Sequence, residues 1–297
     1  ALCAARPEDA AAMSAMHPPV PFAGRSLAFA GLLVIAAVTA CALFAPWLAP
    51  ADPLEIDPLA RLSAPGAEHW FGTDHFGRDT LSRVIHGSRM AVFIGVGVVL
   101  IALGGGIAFG VLSAIYPRLG MVLMRVIDVM MAFPALLLAL ALIVVLGRGV
   151  ENSILAIGVV YLTTTSRIVY GVTLRLNSEA WVEAARGMGA GTARIVFRHL
   201  LPNLLSPLFV QASFVFAFAQ LQAASLDFLG LGVPPETPTW GNMLSESRVY
   251  ITRAPWLLLF PGLMIALSAF SLNLIGDALR DRLDPRLQDA FSGRRRT

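Results

Sequence analysis

Six long apolar runs limit what this chain can fold into. They cover about residues 27–49, 91–115, 122–146, 153–173, 207–229 and 255–276. Each reaches the roughly 20 residues that a helix needs to cross the hydrocarbon core of a bilayer. Only 14% of the residues are charged, against about a quarter in a soluble domain. The sequence therefore predicts an all-α integral membrane protein with six transmembrane helices, and the net charge of +3 does not indicate a nucleic-acid partner.

The polar segments divide the chain into five predicted parts. A signal peptide is the alternative for the first run, but that run is longer than the 7 to 15 apolar residues of a signal core. We therefore expect a retained membrane helix. The parts are a cytoplasmic tail at 1–26, the first transmembrane helix at 27–49, an external segment at 50–90, a five-helix core at 91–276 with a polar loop at about 175–205, and a second cytoplasmic tail at 277–297.

The placement of arginines predicts the orientation of the spans. Six spans put both ends of the chain on one side of the membrane. With the N-terminus inside, 15 arginines fall in inner segments or in the inner halves of spans, and 7 fall in outer segments. Because positive residues favour the cytoplasmic side, both ends and the loop near residue 190 are predicted to be cytoplasmic.

The residues of familiar catalytic and metal motifs are missing from the sequence. There is no lysine, which a Walker A loop requires, so the chain holds no standard ATP-hydrolysing P-loop. It also has no Gly-x-Ser-x-Gly, His-Glu-x-x-His or Cys-x-x-Cys pattern. His69, His75 and His86 match no ligand spacing. We predict no catalytic residue, no metal site and no enzyme activity, and keep an intramembrane enzyme or a self-sufficient channel as the alternative class.

A polar stretch from Glu183 to Pro202 interrupts the apolar part of the chain. Its alanines favour helix, whereas Gly187, Gly189 and Gly191 break it. The pattern predicts two short helices joined by a glycine elbow, with Pro202 ending the second helix. A compact helical unit of this kind on a membrane protein indicates docking onto another protein.

This stretch resembles the cytoplasmic EAA loop of bacterial ABC-importer permeases, whose pattern is E-A-A, three residues, G, nine residues, I, one residue, L-P. We call it the EAA segment (Glu183–Pro202). In that family the loop sits in a groove of the ATPase subunit, so the resemblance implies ATPase coupling for the matching positions. The isoleucine position holds His199, a departure that bears on the contact there. The matches are Glu183, Ala184, Ala185, Gly189, Leu201 and Pro202.

Three further segments resemble the peptide- and nickel-importing branch of these permeases, most closely the C-type subunit of dipeptide or oligopeptide importers. One departure is Asp227, where the pattern commonly has serine. The segments are G-T-D-x-x-G-R-D at Gly72–Asp79, F-L-G-L-G with P-P and W-G at Phe228–Gly241, and L-N-x-x-G-D-x-L-R-D with L-D-P-R at Leu272–Arg286.

The resemblance implies a type I ABC importer permease fold in the bacterial inner membrane. It also implies a second, B-type permease subunit, two ATPase domains that use ATP and Mg, and an external substrate-binding protein; this chain itself would bind no cofactor. The implied function is alternating-access import of di- or oligopeptides, with nickel or another small solute as the alternative. Which peptides are carried is left open.

The external loop and the fifth run supply the other candidate residues. Gly72 and Gly77 permit turns, and Asp74, Arg78 and Asp79 are predicted to tie the loop internally, with substrate contact as the alternative. In run five two polar stripes follow from helical spacing: one packs on a helix and the other lines a polar path. For Asp227 solvation and substrate binding both stay open. The stripes are Ser213, Gln220 and Asp227, and Gln211, Gln222 and Ser225.

Three backbone and charge details complete the expectations. Pro134 predicts a kink in the third run. Asp128 is predicted to pair with Arg125, three residues earlier on the same helix. The glycines at 104–106 and Gly110 predict close helix packing in the second run.

Overall fold

A computed structural model describes the backbone of residues 23–283 and the side chains of residues 26–281. Most of the two predicted tails lies outside these described residues. The described part is helical, with no strand beyond an isolated bridge between Thr73 and Asp79. Short 3-10 turns cover Pro58–Ala60 and Arg248–Tyr250. The helices are α1 (Ala23–Leu48), α2 (Thr80–Ile115), α3 (Pro117–Met131), α4 (Ala135–Leu146), α5 (Val150–Asn177), α6 (Ala180–Gly187), α7 (Thr192–Ile195), α8 (Leu201–Phe228), α9 (Trp240–Ser247) and α10 (Trp256–Leu283).

Five stretches of helix within the described residues are long and apolar enough to cross a membrane. They are α1, α2, α5, the continuous stretch Thr192–Phe228, and α10. The sixth span requires α3 and α4 to count as one, although their axes differ by 99°. The all-helical membrane fold is therefore confirmed, and the kink expected at Pro134 is a full break between Met131 and Ala135.

Several helices extend beyond the apolar runs that predicted them, and α2 and α10 are examples. α2 begins at Thr80, inside the predicted segment 50–90, because the Asp79 carboxylate caps it by accepting the backbone N–H of Ser82 at 2.8 Å. α10 runs on past residue 276 to Leu283. The length of an apolar run indicates only the part of a helix that lies in hydrocarbon. It therefore misses the helical turns that continue outside the hydrocarbon.

Pro202 does not end a helix, contrary to the prediction. It lies in the first turn of α8, a position where the missing backbone N–H of proline is tolerated. A π-helical turn at Val196–Leu200 precedes it, and the N–H of Leu201 donates to the carbonyl of Val196. The wider turn joins α7 to α8 without a break, so Thr192–Phe228 forms one long helical stretch.

The main core lies where α2, α4, α5 and α8 meet. Val98, Ile143, Ile157, Val215 and Leu226 are at most 1% exposed there. α1 packs beside this core on α2 and α10. The core thus holds α8 against α5, which are the two helices that flank the EAA segment.

Glycines let α2 and α5 approach closely, as the sequence predicted. A Cβ on Gly106 would lie 2.5 Å from the side chain of Thr165, and one on Gly110 would lie 2.7 Å from that of Val169. Gly104 is the exception, because no atom lies within 4 Å of a Cβ built there.

Replacing Gly110 with alanine should destabilise the protein, whereas the same change at Gly104 should not. The new methyl group at Gly110 would press on Val169 and the Ser166 carbonyl, an overpacking that costs about 1–3 kcal/mol. At Gly104 alanine meets open space and favours helix. Thermal unfolding of the purified variants measures this. Equal melting temperatures for Gly110→Ala and wild type would contradict the tight crossing.

Candidate functional site

The EAA segment folds into a small unit with its own core. Val182 of α6, Ile195 of α7 and Leu200 of the π turn are at most 4% exposed and pack together. Ala185 also turns inward, at 5% exposure. These side chains fill the space between the two short helices and so hold them together as one packed unit.

Gly189 ends α6 in a Schellman motif. The N–H of Ala190 donates to the carbonyl of Ala185 at 3.0 Å, and the N–H of Gly189 donates to that of Arg186 at 2.9 Å. Gly189 has a φ of +86° with no atom within 4 Å of an added Cβ. Backbone conformation, and not space, therefore selects glycine here, and the predicted glycine elbow turns at Gly189.

One contact joins the two halves of the unit, and another fixes the unit to the end of α5. The ring of His199 lies 5.7 Å from that of Trp181, centroid to centroid, so it ties the π turn to α6. The guanidinium of Arg186 donates to the Asn177 side chain at 2.5 Å, at the end of α5. His199, the departure from the pattern, thus packs inside the unit.

The outer surface of the unit mixes charge with large apolar side chains. Glu183 and Ala184 are exposed, as are Gly189 and Pro202, while Leu201 is half-buried. Met188 and Phe197 are 83% and 72% exposed. Sequence patterns did not single out these two residues as surface contacts, and for Met188 its place within the glycine elbow was the available signal. Such a surface has the composition of a protein-docking face.

A second candidate site lies on the loop before α2, where four charges meet. We call Asp74, Arg78, Arg83 and Glu246 the four-charge cluster. Nε of Arg78 donates to Oδ2 of Asp74 at 2.6 Å, and Nη2 donates to Oε2 of Glu246 at 2.9 Å. Nη1 of Arg83 donates to both carboxylates. The predicted tie between Asp74 and Arg78 is confirmed.

The surroundings of Asp74 set its protonation. Burial by itself would raise the pKa of the carboxyl, but the guanidinium groups of Arg83 and Arg78 and the backbone N–H groups of Phe76 and Arg78 outweigh it and hold the pKa below its usual value. Asp74 is therefore ionised at neutral pH, and the cluster balances two negative against two positive charges.

The other loop residues shape the backbone around the cluster. Gly72 and Gly77 have φ values of +69° and +82°, and a Cβ on Gly77 would lie 1.8 Å from the carbonyl oxygen of Asp57. The Asp79 carboxylate caps α2, and its Oδ1 lies 3.0 Å from Nδ1 of His69. Arg83 and Glu246 were missed: Glu246 reaches the loop across more than 160 residues of chain, and Arg83, nine residues after Asp74, lies beyond the G-T-D-x-x-G-R-D pattern.

Asp74, His75 and Glu246 place possible metal-ligand atoms within 4.8 Å of one another. Their carboxylates already accept from Arg78 and Arg83, whose positive charges would oppose a cation. Burial lowers the pKa of His75 and so favours the neutral imidazole that a metal would need, which leaves the two arginines as the groups that disfavour a cation here. This arrangement has the character of a structural ion cluster and does not support a nickel site.

The polar side chains of α8 are mostly bonded within this chain. Gln220 donates to the Ala91 carbonyl at 2.6 Å, and Gln211 donates to Thr165 at 3.4 Å. Ser213 bonds to the Val210 carbonyl of its own helix. Gln222 is 9% exposed, and its amide nitrogen has no partner among the described residues.

Asp227 is neither solvated nor open to a substrate in this chain, so the solvated position considered above is wrong. It is 3% exposed. Its carboxylate accepts the backbone N–H of Val233 at 2.8 Å and the hydroxyl of Thr239 at 2.7 Å. Asp227 therefore holds the Gly230–Gly241 loop against the end of α8.

Two family models match the chain. One, described as a binding-protein-dependent transport system inner membrane component, matches residues 106–289, and the other, the N-terminal TM domain of oligopeptide transport permease C, matches residues 22–65. The chain belongs to this family of transport-system membrane components. It is a multi-pass permease subunit of an ABC importer.

Relatives and a solved structure agree with this assignment. The chain is 46% identical to the di/tripeptide transport system permease protein DppC of Pseudomonas aeruginosa, over 91% of each chain. It is 40% identical to a probable D,D-dipeptide permease, DdpC of Escherichia coli, over 89% of each. A chain of the MetNI methionine ABC transporter in an inward facing conformation has a TM-score of 0.53 at 19% identity, covering 69% of this chain and 96% of that one. That likeness concerns the fold, and it confirms the type I importer permease architecture.

Neutralising Asp74 should destabilise the permease strongly. Asp74→Asn leaves two arginines partly uncompensated beside a buried amide, and breaking one side of a buried ion pair costs about 3–5 kcal/mol. Because the folded-state pKa of Asp74 is lowered, its stabilisation is present at neutral pH and lost as the pH falls through that lowered pKa. Thermal unfolding as a function of pH measures both effects.

The matched control for Asp74 is Glu68→Gln, which removes one carboxylate charge from the same loop at an exposed position. We expect it to leave the melting temperature unchanged, and we expect the acid-dependent loss of stability to be smaller in Asp74→Asn than in wild type. Equal melting curves for the Asp74 and Glu68 variants would show that the four-charge cluster contributes little.

Proposed function

We propose that this chain is the C-type permease half of an importer that moves di- or oligopeptides across the bacterial inner membrane. The relatives named above are peptide permeases at 40–46% identity over most of their length, which favours peptides over nickel. The arginine pairing of Asp74 and Glu246 points the same way, since it removes the best-placed cation ligands.

The proposed assembly contains a second, B-type permease, two ATPase domains and an external substrate-binding protein. One half cannot enclose a path, and ATP and Mg belong to the ATPases, because this chain has no lysine for a P-loop. With the arginine-rich side inside, the EAA segment and both ends of the chain are cytoplasmic and the four-charge cluster is external.

One observation carries the proposed mechanism: the EAA segment is continuous with a membrane span. Its first half, α6, follows α5, and its second half runs through the π turn into α8 as a single stretch, Thr192–Phe228. A rigid unit at the end of such a rod transmits displacement along it. Closure of the ATPases would therefore tilt α8 and α5 and switch the path between its two sides.

Gly189→Val should uncouple ATP hydrolysis from transport. Valine is strained at a φ of +86°, so the Schellman motif would open and the π turn would leave its place against α6. We expect peptide uptake and substrate-stimulated ATPase turnover to fall together, by about tenfold if the strain approaches 1.4 kcal/mol. Both are measured on the complete complex in proteoliposomes, supplied with the substrate-binding protein.

Gly187→Val is the matched control. Gly187 lies two residues away on α6, with no atom within 4 Å of an added Cβ and without a positive φ. It should retain most uptake. Glu183→Arg, which reverses an exposed charge, should behave like Gly189→Val. Normal uptake and normal stimulated turnover in both Gly189→Val and Glu183→Arg would remove the EAA segment from the coupling role.

A further inference from the structure

Asp128 and Arg167 form an ion pair that joins α3 to α5. Nη2 of Arg167 donates to Oδ1 of Asp128. This replaces the predicted pair with Arg125, because the Asp128 side chain faces the neighbouring helix. Arg167, counted above among the inner arginines, lies within α5 about 15 Å before its end at Asn177. The pair therefore lies on a helix that is long and apolar enough to cross a membrane, towards its inner half.

The pair is not covered by this chain. The side chains of Asp128 and Arg167 are 37% and 49% exposed. A charged side chain facing hydrocarbon costs at least about 2.5–3.5 kcal/mol, so such residues face a protein interior or a water-filled cavity. Lipid is therefore an unfavourable neighbour for this pair, whereas water or a polar protein surface suits it.

A helix break adjoins the pair. α3 ends at Met131, and Ala132, Phe133 and Pro134 are exposed before α4 begins. Non-helical backbone at membrane depth is tolerated where it is buried in protein or lines water. Asp128 lies in the last turn of α3, whose C-terminal end carries partial negative charge. The helix break and the ion pair therefore lie side by side, and together they form a polar and exposed part of the surface.

The neighbouring surface of α5 is small and polar as well. Thr164 lies one turn from Arg167 on the same side, and it is exposed, as is Gly171 one turn further along. No atom lies within 4 Å of a Cβ built on Gly171. The strip therefore leaves free space beside the two charges. A helix of the partner subunit packed closely against α5 would not require such space.

We propose that Asp128 and Arg167 are a charged station in the translocation path, where a passing peptide exchanges partners with the ion pair. This rests on the proposed function, since a peptide carries both an ammonium and a carboxylate. Asp128, with the negative end of α3, suits the ammonium, and Arg167 suits the carboxylate. The pair neutralises itself when no peptide is present, so the path is not blocked by an unpaired charge.

Thiol labelling tests whether the strip faces water. In a chain with Cys3→Ser and Cys41→Ser, Thr164→Cys is assembled into the complete complex and treated with a cationic and an anionic methanethiosulfonate reagent. Both should react. The control is Thr163→Cys, its 3% exposed neighbour, which should not. Adding Asp128→Asn should lower the cationic-to-anionic rate ratio several-fold, and Arg167→Gln should raise it, because each removes one local charge.

Uptake tests the role of the charges in transport. The double variant Asp128→Asn with Arg167→Gln leaves no unpaired charge, so a purely structural pair predicts normal transport. We expect uptake of radiolabelled trialanine, at equal amounts of assembled complex, to fall at least about tenfold. Wild-type uptake by the double variant would overturn the proposal that the pair acts in the translocation path. So would equal reactivity of Thr164→Cys and Thr163→Cys. A wild-type complex that takes up no peptide overturns the proposed function and the peptide as occupant, whatever the labelling ratios show.

Discussion

Hydrocarbon offers a peptide backbone no hydrogen-bond partner, and the rest of this structure depends on that constraint. Unbroken helices satisfy it over most of the chain. The exceptions are therefore informative. The π turn at Val196–Leu200 keeps the helix continuous past Pro202, so the EAA segment stays connected to α8. The break after Met131 does the opposite and interrupts the helix, at exposed residues beside Asp128 and Arg167.

Polar side chains in the spans divide into those that this chain satisfies and those that it leaves open. Gln220 bonds across to α2, and Asp227 holds the loop that follows α8. Such groups fix helix positions, because an unpaired partner would be costly in a low dielectric. Asp128 and Arg167 satisfy each other but remain accessible. The difference separates polar groups that packing in this chain buries from an ion pair that it leaves exposed.

The two ends of the membrane bundle are built on different principles. On the side of the four-charge cluster, Arg78 and Arg83 bind Glu246 and so hold the start of α2 to α9. The EAA segment instead relies on a small apolar core and one glycine cap, with few ties to the spans. A stiff loop assembly at one end and a compact unit at the other suit a permease whose moving part is the latter.

The sequence by itself determined the fold class, the family and the backbone requirements of single positions. Apolar length predicts spans, and glycine at Gly189 and Gly77 predicts a conformation, because both are properties of local chain chemistry. Only the tertiary structure decided which charges meet. Spacing along the chain suggested Arg125 for Asp128, but the partner is Arg167; Arg83 and Glu246 are joined across the bundle. It also decided that Pro202 continues a helix and that Asp227 is buried. The physical reason is that solvation and pairing depend on neighbours brought together by packing, and short-range sequence carries no record of them.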